Sequence, residues 1–102
     1  MIMPTIYEYF GFLFSFYSRE HEPVHVHAKN GNGQSVFDLI IKNGELVEVR
    51  VRHLKGIKPL PAKDENVAKA FVAKYYKNIA EKWMKVFVLN QTVRTTHIRE
   101  KI

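Results

Sequence analysis

Hydrophobic and polar residues alternate with two different periods along the chain, and the change of period divides it into a strand-forming half and a helix-forming half. From residue 6 to residue 17 the sequence is aromatic and β-rich. Phe12, Phe14 and Phe16 share one face, Leu13, Ser15 and Tyr17 share the other, and Gly11 marks the break between two short strands. After Pro23, the run Val24-His25-Val26-His27-Ala28 alternates strictly and predicts a strand with valines inward and histidines outward. Asn30-Gly31-Asn32-Gly33 is turn chemistry leading into a strand over residues 35–41. Asn43-Gly44 is a second hairpin signal, leading into Leu46-Val47-Glu48-Val49-Arg50-Val51-Arg52-His53. In that strand Val47, Val49 and Val51 are expected to face the core and Glu48, Arg50 and Arg52 to face away, with His53 in the apolar register.

Gly56, Pro59 and Pro61 interrupt regular structure until Asp64, which can cap a helix running to about residue 87. Val67, Phe71, Tyr75, Ile79, Trp83 and Phe87 recur every four residues as one apolar stripe, and Lys69, Lys74, Lys77, Lys82 and Lys85 are spread over the solvated remainder. The segregation of strands and helix predicts an α+β domain: a mostly antiparallel meander of about five strands with one long helix packed on one face. No repeat or linker divides residues 1–102, so a single domain is expected. Its basic tail, 89–102, carries Arg94, His97, Arg99 and Lys101 and either adds a last strand or stays mobile.

Composition narrows the chemistry. The 102 residues include no cysteine, which excludes a disulfide framework, a thiolate zinc site and a cysteine nucleophile. Lys and Arg number 16 against 10 Asp and Glu, and the resulting +6 favours polyanionic partners, nucleic acid or a small acidic protein, unless the charge serves solubility alone. No apolar run reaches the ~20 residues that span a bilayer. No Lys or Arg precedes Arg19, and Glu8 interrupts the first apolar stretch, a pattern unlike a signal peptide. A cytoplasmic location is therefore expected.

The unusual chemistry lies in His21, His25 and His27. His21-Glu22-Pro23-Val24-His25 has the letters of the zinc-protease motif H-E-x-x-H, which needs both histidines one turn apart on a helix. Pro23 inside the motif breaks such a helix. On a strand, His25 and His27 project from one face with Cα atoms roughly 6.5 to 7 Å apart. The two rings could converge on a divalent metal such as zinc, with His21 as third ligand and Glu20 or Asp38 completing the shell. The same pair could act as acid and base in phosphodiester cleavage while Arg50 or Arg52 holds a phosphate. Alternatively, both are exposed strand histidines bonded to backbone or to Tyr17 and Glu20.

Met3-Pro4-Thr5-Ile6, then Gly11-Phe12 through Phe16-Tyr17-Ser18, then Glu20-His21-Glu22-Pro23-Val24-His25-Val26-His27 resemble the opening signature of a bacterial family, domain of unknown function 4160. Its pattern runs M-P-x-I, an aromatic strand, an acidic residue and H-x-P-x-H-V-H, and Trp83 near the end of a terminal helix is a looser match. Residues 56–61 and the tail after Leu89 are additions to the shorter members. The resemblance carries over Glu20, His21, Pro23, His25 and His27 and supplies no established activity. It implies a prokaryotic protein whose relatives are often encoded beside another small protein, as components of toxin–antitoxin-like pairs. Three functions fit: a module whose outer sheet face, with His25, His27, Arg50 and Arg52, contacts nucleic acid or an acidic partner; a metal- or histidine-dependent hydrolase of ribonuclease type; or an assembly protein, homo-oligomeric through an exposed strand edge.

Overall fold

A computed structural model of the chain describes residues 4–17 and 24–102. Its elements are β1 (Thr5–Tyr9), β2 (Phe12–Ser15), β3 (Val24–Asn30), β4 (Gly33–Lys42), β5 (Glu45–Arg52), α1 (Ala62–Lys74), α2 (Tyr76–Phe87) and β6 (Thr96–Ile98). The strands form one sheet in the order β5-β4-β3-β2-β1-β6. The first five make the expected antiparallel meander, and β6 adds a sixth strand parallel to β1. The sheet is therefore mixed. Its parallel pairing arises because two helices carry the chain back before the tail reaches β1, the long crossover that parallel neighbours need. No described helix is long and apolar enough to cross a membrane.

Asn43 and Gly44 both hold positive φ, 54° and 80°, as a tight hairpin between β4 and β5 requires. Gly33, read from sequence as part of a turn, opens β4 and serves a close approach. A Cβ there would stand 2.8 Å from the Pro59 carbonyl and 2.9 Å from Leu60 Cα, so the segment between β5 and α1 packs directly on it. Ser35 completes that junction. Its hydroxyl donates to Glu65 on α1 at 2.8 Å and accepts from the Leu60 amide at 3.1 Å. His53 lies beyond β5, out of the apolar register assigned to it, and meets the same Glu65 carboxylate from the solvent side.

Val47 also departs from expectation. The β4–β5 register shifts between Ile40 and Ile41, so Leu46 pairs with Ile41 and Glu48 with Ile40, and Val47 becomes the extra residue of a bulge, 57% exposed. Leu46, Val49 and Val51 take the core side instead.

The helices cover one face. Phe71 of α1 is fully buried and stacks on Phe14 of β2, with centroids 4.5 Å apart, and its ring also meets Tyr7, Tyr9 and Tyr75. The expected single helix is two. A residue repeat of four drifts by about 40° per step on a 3.6-residue helix, so a stripe from Val67 to Phe87 winds about 200° around a straight rod. The break at Tyr75 (φ −103°, ψ 19°) resets the direction, and Phe71, Ile79, Trp83 and Phe87 all reach the core. Helix α1 starts at Ala62 with Pro61 at its N-cap position. Asp64 therefore does not cap it, and with Glu65 it places negative charge in the first turn, where the helix dipole favours it.

Lys82 is not one of the solvated lysines. Its ammonium donates to the Ile6 and Arg94 carbonyls, both at 3.0 Å, and to Thr96 Oγ1 at 2.8 Å, and it lies 4.4 Å from the Tyr7 ring centre. These contacts fasten β6 to β1 and α2, and burial lowers the pKa of the group.

Candidate binding face of the sheet

Strand alternation puts His25 and His27 on the face opposite the helices, because Val26 and Ala28 between and beside them fill the core. Pairing across β1 to β5 aligns Thr5, Ser15, His27, Val36 and Arg52 in one row, and His25, Asp38 and Arg50 in the next. Both histidines were expected to be exposed. They are 6% and 8% exposed. The His27 ring is covered by Tyr17, stacked on it at 4.0 Å and 13°, and the Gln34 amide donates to its Nδ1 at 2.9 Å. With Nδ1 accepting, the ring proton of neutral His27 belongs on Nε2. Burial, reinforced by His25 and by the Arg52 charge and opposed by Asp38, pushes the pKa of His27 down to about 4. It is neutral at physiological pH.

The His25 and His27 ring centres are 6.0 Å apart. His25 sits on β3, so the helical context of H-E-x-x-H is absent at that end of the motif. His21, Glu20, Glu22 and Pro23 lie outside the described residues. Among the described residues no three His, Asp or Glu side chains come together as metal ligands. The donors nearest the pair are already occupied: His27 Nδ1 by Gln34, and both Asp38 oxygens by Arg52, whose Nε and terminal nitrogen donate at 2.7 and 2.9 Å.

The two arginines proposed to meet a polyanion differ in situation. Strand β4 separates both from the histidines. Arg52 is locked diagonally onto Asp38, whose side chain is only 9% exposed. Arg50 faces Asp38 across the strands but pairs with Glu48 on its own strand at 3.1 Å, with both partners about half exposed or more, 60% and 48%. Along this face Lys29, Arg50 and Arg52 are matched by Glu8, Asp38 and Glu48. The excess of Lys and Arg lies elsewhere, on the helices, on residues 53–61 and on the tail.

Beside His27 the face sinks into a recess of about 200 Å³ lined by Thr5, Leu13, Ser15, Tyr17, His27 and Lys29. The Thr5 and Ser15 hydroxyls touch at 3.1 Å across β1 and β2. Among the described residues no carboxylate lines the recess. The nearest in its row is Glu8, which takes the Gly11 amide and His97, and the His97 hydrogen bond holds its pKa below the usual carboxylate value. The sequence grouped Leu13, Ser15 and Tyr17 on one face, but nothing in it tied them to Thr5, Lys29 or Gln34, because strand order and register decide that meeting. The Ser35, Glu65 and His53 cluster was also missed. It has the letters of a hydrolase triad in the wrong order, with the carboxylate between the other two, and Ser35 is fully buried, so it is a structural clamp.

No curated protein and no solved structure matches the chain. A family model described as a domain of unknown function (DUF4160) matches residues 11–84. That span runs from the first residue before β2 to near the end of α2, and includes His25, His27, residues 56–61 and Trp83. By this match the chain belongs to the DUF4160 family of domains of unknown function.

Proposed function

We propose that the helix-free face of the sheet is a contact surface for single-stranded nucleic acid, in a small prokaryotic, cytoplasmic component of a toxin–antitoxin-like pair. The observation that carries this reading is the partly exposed Tyr17, stacked on neutral His27 beside a recess that has Lys29 on its wall and, among the described residues, no carboxylate. Single strands are held by aromatic platforms and by basic side chains that follow the backbone, and an open sheet face can supply both. Arg50 suits a phosphate contact, because an ion pair exposed on both sides is weak and exchanges readily for another anion. Arg52, held by Asp38, acts as a support for the face. The paired setting rests on the family alone. An acidic partner protein would meet the helices and the tail, where the excess positive charge lies.

A ribonuclease with His25 and His27 as acid and base has less support. Such a pair works best with pKa values near the operating pH, and His27 stays neutral down to about 4. Assembly through the outer edge of β5 is disfavoured by its charges and by the Val47 bulge, both of which blunt strand addition.

The test is fluorescence anisotropy of a labelled single-stranded oligoribonucleotide over a salt series. Binding that weakens with salt and is impaired by Lys29→Gln and Arg50→Gln supports the reading. Absence of binding at low salt, or identical affinity in both variants, overturns it.

A further inference from the structure

We infer that the recess beside His27 is a pocket for one unpaired heterocyclic base, an assignment that rests on the nucleic-acid reading above and gives it a specific contact. Size is the first argument. The volume of about 200 Å³ lies below the ~300 Å³ at which pockets for drug-sized ligands begin, so it suits a fragment such as a single ring system.

The wall chemistry is the second argument. Leu13 and Tyr17, 42% and 36% exposed, provide apolar surface of the kind a planar ring packs against. The Thr5 and Ser15 hydroxyls share one hydrogen in their mutual bond, which, among the described residues, leaves one hydroxyl hydrogen and lone pairs for a ligand. The recess can therefore both donate and accept, as a base edge demands. A phosphate would want donors alone and more than one cation, and among the described wall residues Lys29 is the single charged one. A metal cation finds no carboxylate among the described wall residues.

Rigidity is the third argument. Thr5, Ser15 and His27 stand opposite one another on three adjacent strands inside the sheet, so their spacing is fixed by the ladder. The His27 ring is held from two sides, by the Tyr17 stack and the Gln34 amide, and its depressed pKa keeps it a neutral group across the physiological range. A fixed neutral ring beside hydroxyls discriminates by hydrogen-bond geometry, with charge confined to Lys29.

The experiment is a nitrogen–proton correlation titration of the labelled chain with adenosine, guanosine, cytidine and uridine, with inorganic phosphate as a separate arm. At least one nucleoside should shift the amides of Ser15, His27 and Lys29 in a saturable way and leave Arg50 in place. Ser15→Leu, which fills the recess, should weaken that nucleoside about tenfold, within the range that a lost base contact costs, and Ser15→Ala should weaken it less while keeping the fold. Recess signals that respond to phosphate and to no nucleoside, or to neither, would overturn the inference. If a short oligoribonucleotide binds through Arg50 while nucleosides leave the recess silent, the pocket fails and the sheet-face reading stands. If nucleosides bind and the oligoribonucleotide does not, the pocket stands and the sheet-face reading fails.

Discussion

The two faces of the sheet are made by the same strands, alternate residues going to each, yet they bury different chemistry. Toward the helices the buried side chains are mostly rings and aliphatics: Tyr7, Tyr9, Phe12, Phe14 and Phe16 meet Phe71, Val72 and Ile79. On the other face the least exposed charged or polar groups are His25, His27 and Asp38, each below a tenth exposed. Apolar burial is forgiving about direction, since it scales with area removed from water. Polar burial is not, because an unpaired group costs its desolvation. Hence the open face carries fixed bonds, Gln34 to His27 and Arg52 to Asp38, where the helix face carries packing. Ser35 is a fully buried polar side chain on the helix side, and it too is satisfied, by Glu65 and the Leu60 amide, whereas the Trp83 Nε1 of α2 is sealed without a partner among the described residues.

The largest expected effect lies on the helix face. Phe71→Ala should destabilise the chain by about 3 to 5 kcal/mol in urea unfolding, because the ring is fully buried against four other aromatic rings and the cavity cannot collapse among them. Trp83→Ala should cost less although the side chain is larger. Trp83 is only partly buried, and its Nε1 is sealed without a hydrogen-bond partner among the described residues. Equal losses for the two would show that the faces are not organised around the Phe71 cluster.

Next in size are two effects on the open face. Folding holds His27 neutral to about pH 4 against a usual value of 6.5, so between those values the unfolded chain binds more protons. This contribution to stability is fully present above pH 6.5 and is lost as pH falls through the window, by about 3 kcal/mol at pH 4. Ring titration by nuclear magnetic resonance should give the low midpoint directly, and a midpoint near 6.5 would mean that the ring is not buried as described. Asp38→Asn weakens the two-bond contact with Arg52 and should cost about 1 to 2 kcal/mol. It should also lower the His27 midpoint further, since the Asp38 charge raises it, whereas Arg52→Gln should raise it. Shifts of opposite sign would break the electrostatic account.

Much of the helix face was legible in the sequence and little of the recess was. The aromatic alternation of residues 12–17, the Asn43-Gly44 hairpin and the apolar stripe from Val67 to Phe87 depend on local periodicity, and the meander and the helical cover follow from them. The helix break was implicit in the four-residue spacing itself. The bulge at Val47 was not, because it depends on how two strands share a register; a last strand in the tail was one of two alternatives, and its three residues and parallel pairing with β1 were beyond local pattern. The histidine pair was legible as a shared face. Its burial, its tautomer and its neighbours Thr5, Lys29 and Gln34 arise from strand order, which no local pattern encodes.

The smallest expected effect on stability distinguishes the two arginines of β5. Arg50 and Arg52 are two residues apart on one face and look equivalent in sequence, but Arg52 is anchored on a nearly buried carboxylate and Arg50 on an exposed one. Arg50→Gln should change unfolding free energy by less than about 0.5 kcal/mol, as exposed pairs generally do. Binding should respond differently. If Arg50 neutralises one phosphate, its loss should weaken oligoribonucleotide affinity uniformly across sequences and lower the slope of log affinity against log salt by about one. Arg52→Gln should show the reverse balance, with a measurable stability loss from the stranded Asp38 carboxylate and a salt slope close to that of the parent chain. Equilibrium unfolding and anisotropy on the same two variants test both halves of the contrast. Matching stability losses would erase the distinction between anchored and exposed arginines, and a salt slope lowered by Arg52→Gln alone would move the phosphate contact one row closer to His27.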